Sequence, residues 1–409
     1  MGIRQRTNRL PVLLALLLST LAACGGGGGG SSIPAFNLPY SIALGDFNGD
    51  GSMDLAVAIT FIAGPPPHPG AASIILQNRL SPGNFFTGTS FATGTDAVGI
   101  TTADLNADGK LDLVVASNTS ATISVLLQDP VNPGRFRAAA SLGTGGLPVD
   151  VAIGDLNADG KPDLAVATGA QNIVILLQDP ANAGQFLPAS NVPAGAAVTA
   201  VAIADVNADG RQDLVIAALD GSGNGRVSVL LQNPALAGSF LARLDLPAGA
   251  QPISVRVSDL NGDALPDIVV ANLGTPSTAA GSGASVLLQD AANPGSFLPL
   301  VSYATDTRGI QIAVGDLNAD GRPDLVVANS GNLSNTGSVS VLLQSAGTPG
   351  TFLPAVNRAG IARPNAIAIG DLNGDGKPDI AVADTSTASI LFQSAGVAGS
   401  FLAPVQVGQ

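Results

Sequence analysis

Glutamate and tryptophan are absent from this chain of 409 residues, and histidine and cysteine occur once each. All 30 acidic residues are aspartate, and only three of the 17 basic residues are lysine. Helix surfaces draw heavily on Glu and Lys, which are good helix formers, so a helix-rich protein is disfavoured. A Ser-His-Asp site or a His-ligated metal would have only His68 to use. A paired-glutamate glycosidase site is excluded, although Asp pairs remain, and thiol chemistry would rest on Cys24 alone. A formal charge of −13 counts against nucleic acid as a partner, because affinity there comes largely from Lys and Arg meeting phosphates. What the chain has in plenty is Val, Ile, Thr and 51 Gly, a composition of short strands and tight turns. With 46% hydrophobic and 11% charged residues it is too apolar for a disordered chain.

Residues 1–23 carry Arg4, Arg6 and Arg9 ahead of an apolar run from Leu10 to Leu21. A charged region followed by a short apolar one is the pattern of a secretory signal, and the run is short for a membrane span. It ends in Leu21-Ala22-Ala23-Cys24, which resembles the lipobox of bacterial lipoproteins. That resemblance implies lipidation of Cys24 as the mature N-terminus and a lipid anchor in the membrane. Gly25, rather than Asp, after the Cys resembles outer-membrane sorting, so export to the cell envelope, at the outer membrane or cell surface, is expected. Residues 24–35, with Gly25–Gly30 and two serines, then read as a flexible tether.

From residue 36 to residue 409 the chain is periodic. Asp-x-Asn-x-Asp-Gly-x-x-Asp begins at Asp46, Asp104, Asp155, Asp205, Asp259, Asp316 and Asp371, at spacings of 50 to 58 residues. The fifth copy has Ala264 in place of the Gly. A Gln ends an apolar run in every copy (Gln77, Gln128, Gln178, Gln232, Gln289, Gln344, Gln393), and a Phe follows each Gln by eight residues. From each of the first six Phe to the next motif is always 19 residues, so length varies only between the last motif Asp and the Gln. Each unit reads as four strands; in the third copy these are 149–156, 163–168, 172–178 and 186–192. In Asp163-Leu-Ala-Val-Ala both strand faces are apolar, as in sheets packed on two sides. Seven such units predict an all-β, seven-bladed β-propeller of four-stranded antiparallel blades, with a linear solenoid as the alternative.

The motif sets oxygen donors at alternating positions of a tight loop, which suits calcium with its six to eight oxygen ligands. Position 6 is Gly because the turn needs a backbone unfavourable to a Cβ, and position 7 offers a carbonyl, so its side chain is free to vary. The candidate ligands are Asp46, Asn48, Asp50, Ser52 and Asp54 in the first loop, and Asp104, Asn106, Asp108, Lys110 and Asp112 in the second. The third has Asp155, Asn157, Asp159, Lys161 and Asp163; the fourth has Asp205, Asn207, Asp209, Arg211 and Asp213. The fifth has Asp259, Asn261, Asp263, Leu265 and Asp267, and its Ala264 predicts a weaker site. The sixth has Asp316, Asn318, Asp320, Arg322 and Asp324; the seventh has Asp371, Asn373, Asp375, Lys377 and Asp379. Without Arg4, Arg6 and Arg9 the chain carries 14 basic against 30 acidic residues, a charge that seven Ca²⁺ would nearly cancel. Calcium is therefore expected in a structural role, as many as seven ions.

On these residues the units resemble the VCBS/FG-GAP repeats of integrin α-subunit propellers and many bacterial secreted proteins, over about residues 36–407. The resemblance implies that each loop joins the first two strands of a blade and holds calcium. It also implies that the face opposite those loops, where the variable connections lie, engages a protein or glycan partner. The longest variable loops are Thr60–Ala72, Leu219–Arg226, Asn272–Ala284 and Asn329–Gly337. His68, in a Pro-rich stretch, reads as a surface residue, and the repeat Phe residues read as core wedges. No catalytic residues are expected: the leading function is a non-catalytic adhesion or binding propeller tethered to a bacterial envelope. The alternatives are a calcium-assisted polysaccharide lyase using Arg or Lys as base, and a structural envelope component.

Overall fold

The computed structural model describes residues 36–62, 68–220, 224–275, 281–331, 337–385 and 388–407. The expected signal (1–23), Cys24 and the tether (24–35) lie outside the described residues, as do the middles of the four long variable loops. The rest forms seven four-stranded antiparallel sheets, each made of four consecutive strands. They span 36–92, 97–143, 150–193, 197–247, 252–304, 309–361 and 366–407, and are called blades one to seven below. The first strands of successive blades touch in cyclic order, and that of blade seven touches that of blade one. The arrangement is thus the closed seven-bladed propeller and not a solenoid. Closure joins two complete blades side by side, with no strand exchanged between them.

The alternation along the second strand of each blade explains the packing. In blade three, Leu164 and Val166 pack on Val114 and Ala116 of blade two. Ala165 and Ala167 lie with Val198 and Val201 of blade four. In blade one, Leu55, Val57 and Ile59 face Ala381 and Ala383 of blade seven, while Ala56 and Ala58 face Ala97 and Ile100 of blade two. Large side chains thus meet small ones across these junctions, and the second strands are buried on both faces, whereas the fourth strands are largely exposed. Each fully buried Leu, Val or Ile contributes about 1.5–3 kcal/mol, so the core is seven inter-blade layers and no blade has a core of its own. The repeat Phe residues sit in these layers, and Phe136 meets Phe47 of blade one edge-on with centroids 6.1 Å apart.

Two expectations need correction. The fourth strand begins later than the Phe: in blade three it covers Ser190–Pro193, and Phe186 makes only an isolated bridge to Gln178. The same gap runs from Phe136 to Ala140 in blade two, where no proline intervenes, so it belongs to the repeat and not to one residue. His68 is not a surface residue. It is 5% exposed, with Nδ1 3.2 Å from Asp96 Oδ1 of blade two.

Candidate metal loops

Because the strands alternate in direction, the Asp loops (first to second strand) and the Gln–Phe loops (third to fourth) share one face of the ring. The variable loops and the connections between blades share the other. Each Asp loop is wound tightly on its own amides. In the first, Asp46 Oδ1 accepts from Gly49 N–H (2.7 Å) and its Oδ2 from Gly51 N–H (2.8 Å). Asn48 Oδ1 accepts from Asp50 N–H (2.9 Å), and Asp50 Oδ1 from Ser52 N–H (2.8 Å). The other loops repeat the bond from the position-6 N–H to the first Asp at 2.8–2.9 Å.

Position 6 is left-handed throughout, with φ of 80–85° at Gly51, Gly109, Gly160, Gly210, Gly321 and Gly376. A Cβ on these glycines would meet nothing within 4 Å, so the backbone angle and not crowding selects Gly. Ala264 adopts the same conformation at φ 68° and keeps the bond to Asp259 Oδ2. A residue with a Cβ pays a steric cost there of about 1–2 kcal/mol. Ala264→Gly should therefore raise stability by about 1 kcal/mol, read as a higher denaturant midpoint with an unchanged slope. A midpoint equal to or below that of the native chain would show that the loop carries no strain at this position. Position 4 is left-handed as well, at Gly49, Gly262 and Gly374 and at Ala107, Ala158, Ala208 and Ala319. The restriction of this position to Gly or Ala was the sequence signal for it.

The last Asp of the motif is a different kind of residue. Asp54, Asp112, Asp163, Asp213, Asp267, Asp324 and Asp379 are all 0% exposed. One carboxylate oxygen of each accepts the position-2 N–H at 2.8–3.0 Å. The other accepts the backbone N–H of the repeat Gln at 2.7 Å. Burial raises the pKa of each to about 6 against the lowering effect of those two bonds, and the carboxylates at positions 5 and 1 push the same way as burial.

The Gln is the part whose role sequence reasoning missed. Gln128 Nε2 donates to Leu111 O of its own loop (3.2 Å) and to Phe47 O in the Asp loop of blade one (2.9 Å). The same reach to the preceding loop recurs at Gln178, Gln289, Gln344 and Gln393, at 2.7–2.9 Å. Gln77 closes the circle onto Leu372 O of blade seven. Beside it, Gly134 N–H donates to Phe47 O, and a Cβ on Gly134 would lie 3.7 Å from Asn48 Cβ. Six of the seven Asp loops are thus clasped by the Gln of the next blade; the side chain of Gln232 in blade four bonds only Gln212 O of its own loop. The fixed eight-residue Gln–Phe spacing was the signal, but its meaning lies between blades.

Among the described residues no three acidic, imidazole or thiol side chains are gathered closely enough to hold a metal ion. In chemistry the loops nonetheless fit a hard cation: each offers three carboxylates, one amide oxygen and a backbone carbonyl, and no nitrogen or sulfur donor. Their mutual repulsion is relieved in places by arginine: Arg211 pairs with Asp209 and Arg322 with Asp320, each at 2.5 Å, and the charge of Arg79 acts on Asp50. The side chain of Lys110 turns away to Pro130 O, as a position-7 residue should if only its carbonyl matters.

Comparison with known families matches the same segments. A model described as FG-GAP-like repeat matches residues 104–166, 155–216, 205–270 and 316–382, and one described as FG-GAP repeat matches residues 38–61. Each of the four longer matches begins on the first Asp of a loop, and together the matches contain all seven loops. Two similar solved structures are crystals of BBS1N in complex with ARL6DN, one soaked with mercury and one with lead. They are 12% identical to this chain, with TM-scores of 0.52 and 0.53. The alignments cover 90% of this chain and 99% and 96% of those chains. This likeness is one of fold. No curated protein matches the chain in sequence.

Proposed function

The chain belongs to the FG-GAP repeat family, and on that premise we propose that it is a non-catalytic, calcium-stabilised binding propeller anchored to a bacterial envelope. The observation that carries the calcium reading is the sevenfold repetition of one oxygen-donor loop. In each loop a buried carboxylate feels the charge of the two other carboxylates of the motif. Positions 1, 3, 5 and 9 and the carbonyl at position 7 would hold the ion. Calcium would supply the positive charge each loop lacks and would stiffen the joint made by the Gln of the next blade. Titration of chelated protein with calcium should show six or seven equivalents bound, with the fifth loop weakest. Fewer than three equivalents would sink the reading of the repeats as calcium sites.

The partner face is the one bearing the variable loops. Its length variation, concentrated at Leu219–Arg226, Asn272–Ala284 and Asn329–Gly337, contrasts with the fixed geometry of the Asp-loop face. Shortening the last two loops should abolish capture of a protein or glycan partner while leaving the melting temperature within a few degrees. The anchor reading rests on Cys24 following the apolar N-terminal run. Cys24→Ser should move the protein from the membrane to the soluble fraction of cells. Persistent membrane retention of that variant would count against lipidation.

A further inference from the structure

Four Asn-Gly pairs occur in the chain, and three of them lie in the Asp loops: Asn48-Gly49, Asn261-Gly262 and Asn373-Gly374. The other four loops have Asn-Ala at the same two positions: Asn106-Ala107, Asn157-Ala158, Asn207-Ala208 and Asn318-Ala319. Asparagine is a thermolabile residue. Its side-chain carbonyl carbon can be attacked by the backbone nitrogen of the next residue. A glycine there leaves that nitrogen uncrowded and free to turn toward the side chain, whereas an alanine Cβ crowds the approach. The molecule thus carries one loop in two chemical versions, three of the reactive kind and four of the slow kind.

The structure holds the three reactive pairs shut. Gly49, Gly262 and Gly374 are exposed, so water and base reach them. The nitrogen of each, however, donates to Oδ1 of the first Asp of its loop at 2.7 Å. The amide oxygen of each Asn is turned away from that nitrogen, onto the N–H of the Asp two residues on, at 2.9–3.0 Å. In loops one and five the amide nitrogen also donates to Oδ2 of that Asp, at 3.1 and 3.0 Å. The next blade covers each Asn from the side. A Cβ on Gly134 would lie 3.7 Å from Asn48 Cβ, one on Gly350 3.2 Å from Asn261 Cβ, and one on Gly83 3.5 Å from Asn373 Cβ. Attack on the side chain therefore requires the loop to open, and local opening of an exposed loop costs far less than unfolding the ring.

We propose that Asn48, Asn261 and Asn373 are sites of spontaneous deamidation, gated by the closure of their loops, and that they set a chemical lifetime for three joints between blades. In the open loop, base takes the proton of the Gly nitrogen. That nitrogen bonds to Asn Cγ, the Cγ–Nδ2 bond breaks, and the amide group leaves as ammonia. Water then opens the five-membered imide at one of its two carbonyls. One opening leaves aspartate; the other leaves isoaspartate, whose backbone is longer by one carbon. One water is consumed, one ammonia is released, and nothing is oxidised or reduced. Either product adds a fourth carboxylate to a loop that already has three, and isoaspartate also displaces the packing against Gly134, Gly350 or Gly83. The joints affected are those where Gln128, Gln344 and Gln77 reach the preceding loop, and the last of these closes the ring. The choice of sites stands on the loops themselves. That calcium holds the gate shut rests on reading the loops as calcium sites, with Asn Oδ1 as a ligand.

The test keeps the full chain at pH 8 in EDTA, in excess calcium, or in EDTA with concentrated urea. Peptide mapping by mass spectrometry, with enzymatic methylation to mark isoaspartate, then follows each Asn over time. In EDTA the three Asn-Gly loops should convert at least tenfold faster than Asn106, Asn157, Asn207 and Asn318. Calcium should slow them at least fivefold, and urea should speed them at least fivefold. Asn224-Gly225 is the reference outside the loops: its Gly is paired in the third strand of blade four, so calcium should leave its rate unchanged. Gly49→Ala should stop conversion at Asn48 alone, with Asn261 and Asn373 as internal standards. The four Ala loops, with φ of 57–59° at this position, show that the substitution is accepted. Asn-Gly loops that convert no faster than the Asn-Ala loops would overturn the sites. Folded protein that converts as fast as protein in urea would overturn the gate. Calorimetry on the same samples keeps the two readings apart. A protein that binds no calcium yet converts more slowly folded than in urea would lose the calcium reading and keep the gated sites.

Discussion

Chelating the protein with EDTA should lower its melting temperature by about 20 °C, and added calcium should restore it. A ligand at a hundred times its Kd stabilises a folded protein by about 2.7 kcal/mol per site. Six or seven such sites would then contribute about 16–19 kcal/mol. For a domain of this length, with an unfolding entropy of about 0.8 kcal/mol/K, that corresponds to a shift of about 20 °C. The effect should depend on pH in a definite direction. The seven buried carboxylates titrate near pH 6 in the folded protein, well above the usual value for Asp. A raised folded-state pKa means that the folded state holds its protons longer. That contribution to stability is complete below about pH 4 and is lost as pH rises through about 6. The chelated protein should therefore melt higher at pH 5 than at pH 7.5. Calcium must displace the same protons, so its stabilising effect should grow over this interval and the calcium-loaded protein should reverse the order. An EDTA melt identical to the calcium melt at pH 7.5 would rule out structural calcium.

The parts of the molecule that were legible in the sequence are those set by local geometry repeated seven times. Asp46 to Asp54 could be read as a loop because its donors alternate and its turn residue is Gly, and the same pattern recurred at Asp104 and onward. The two-sided apolar strands followed from runs such as Leu164-Ala165-Val166-Ala167, whose faces meet different blades. What was illegible depends on residues brought together from different blades. His68 looked exposed among prolines, yet its partner Asp96 lies 28 residues on, in the next blade. The repeat Gln read as a mere landmark, because its acceptor is 73 to 84 residues back in the preceding blade, or 295 residues away at closure. The start of the fourth strand was misplaced for a related reason. An aromatic next to an apolar run reads as strand, but Phe186 is anchored by inter-blade packing and a single bridge, and regular pairing resumes only at Ser190.

The joint between blades should also be the place where single substitutions cost most. Asp112 accepts from Leu105 N–H at 3.0 Å and from Gln128 N–H at 2.7 Å, and it has no solvent exposure. Asp112→Ala leaves both donors buried and unpaired, at about 1–3 kcal/mol each, so a loss of about 3–5 kcal/mol is expected even in excess EDTA, where no metal is at stake. Asp112→Asn keeps one acceptor but turns an amide N–H₂ toward the other donor, and it should cost about half as much. Gln128→Ala removes the donor shared by Leu111 O and Phe47 O, with an expected loss of about 1–3 kcal/mol. Gln128→Glu should do worse at pH 7.5, because it sets a carboxylate against two carbonyl oxygens, and it should recover in part at pH 5 as that carboxylate protonates. Because Asp112 and Gln128 share one network, the double alanine variant should lose less than the two single losses together. Denaturant midpoints of the four single variants and the double variant, all measured in EDTA, decide the point. A Gln128→Ala midpoint within 0.5 kcal/mol of the native protein would mean that the apolar layers alone hold adjacent blades together. The recurrence of Gln at this place would then reflect the turn it sits in and not the closure of the ring.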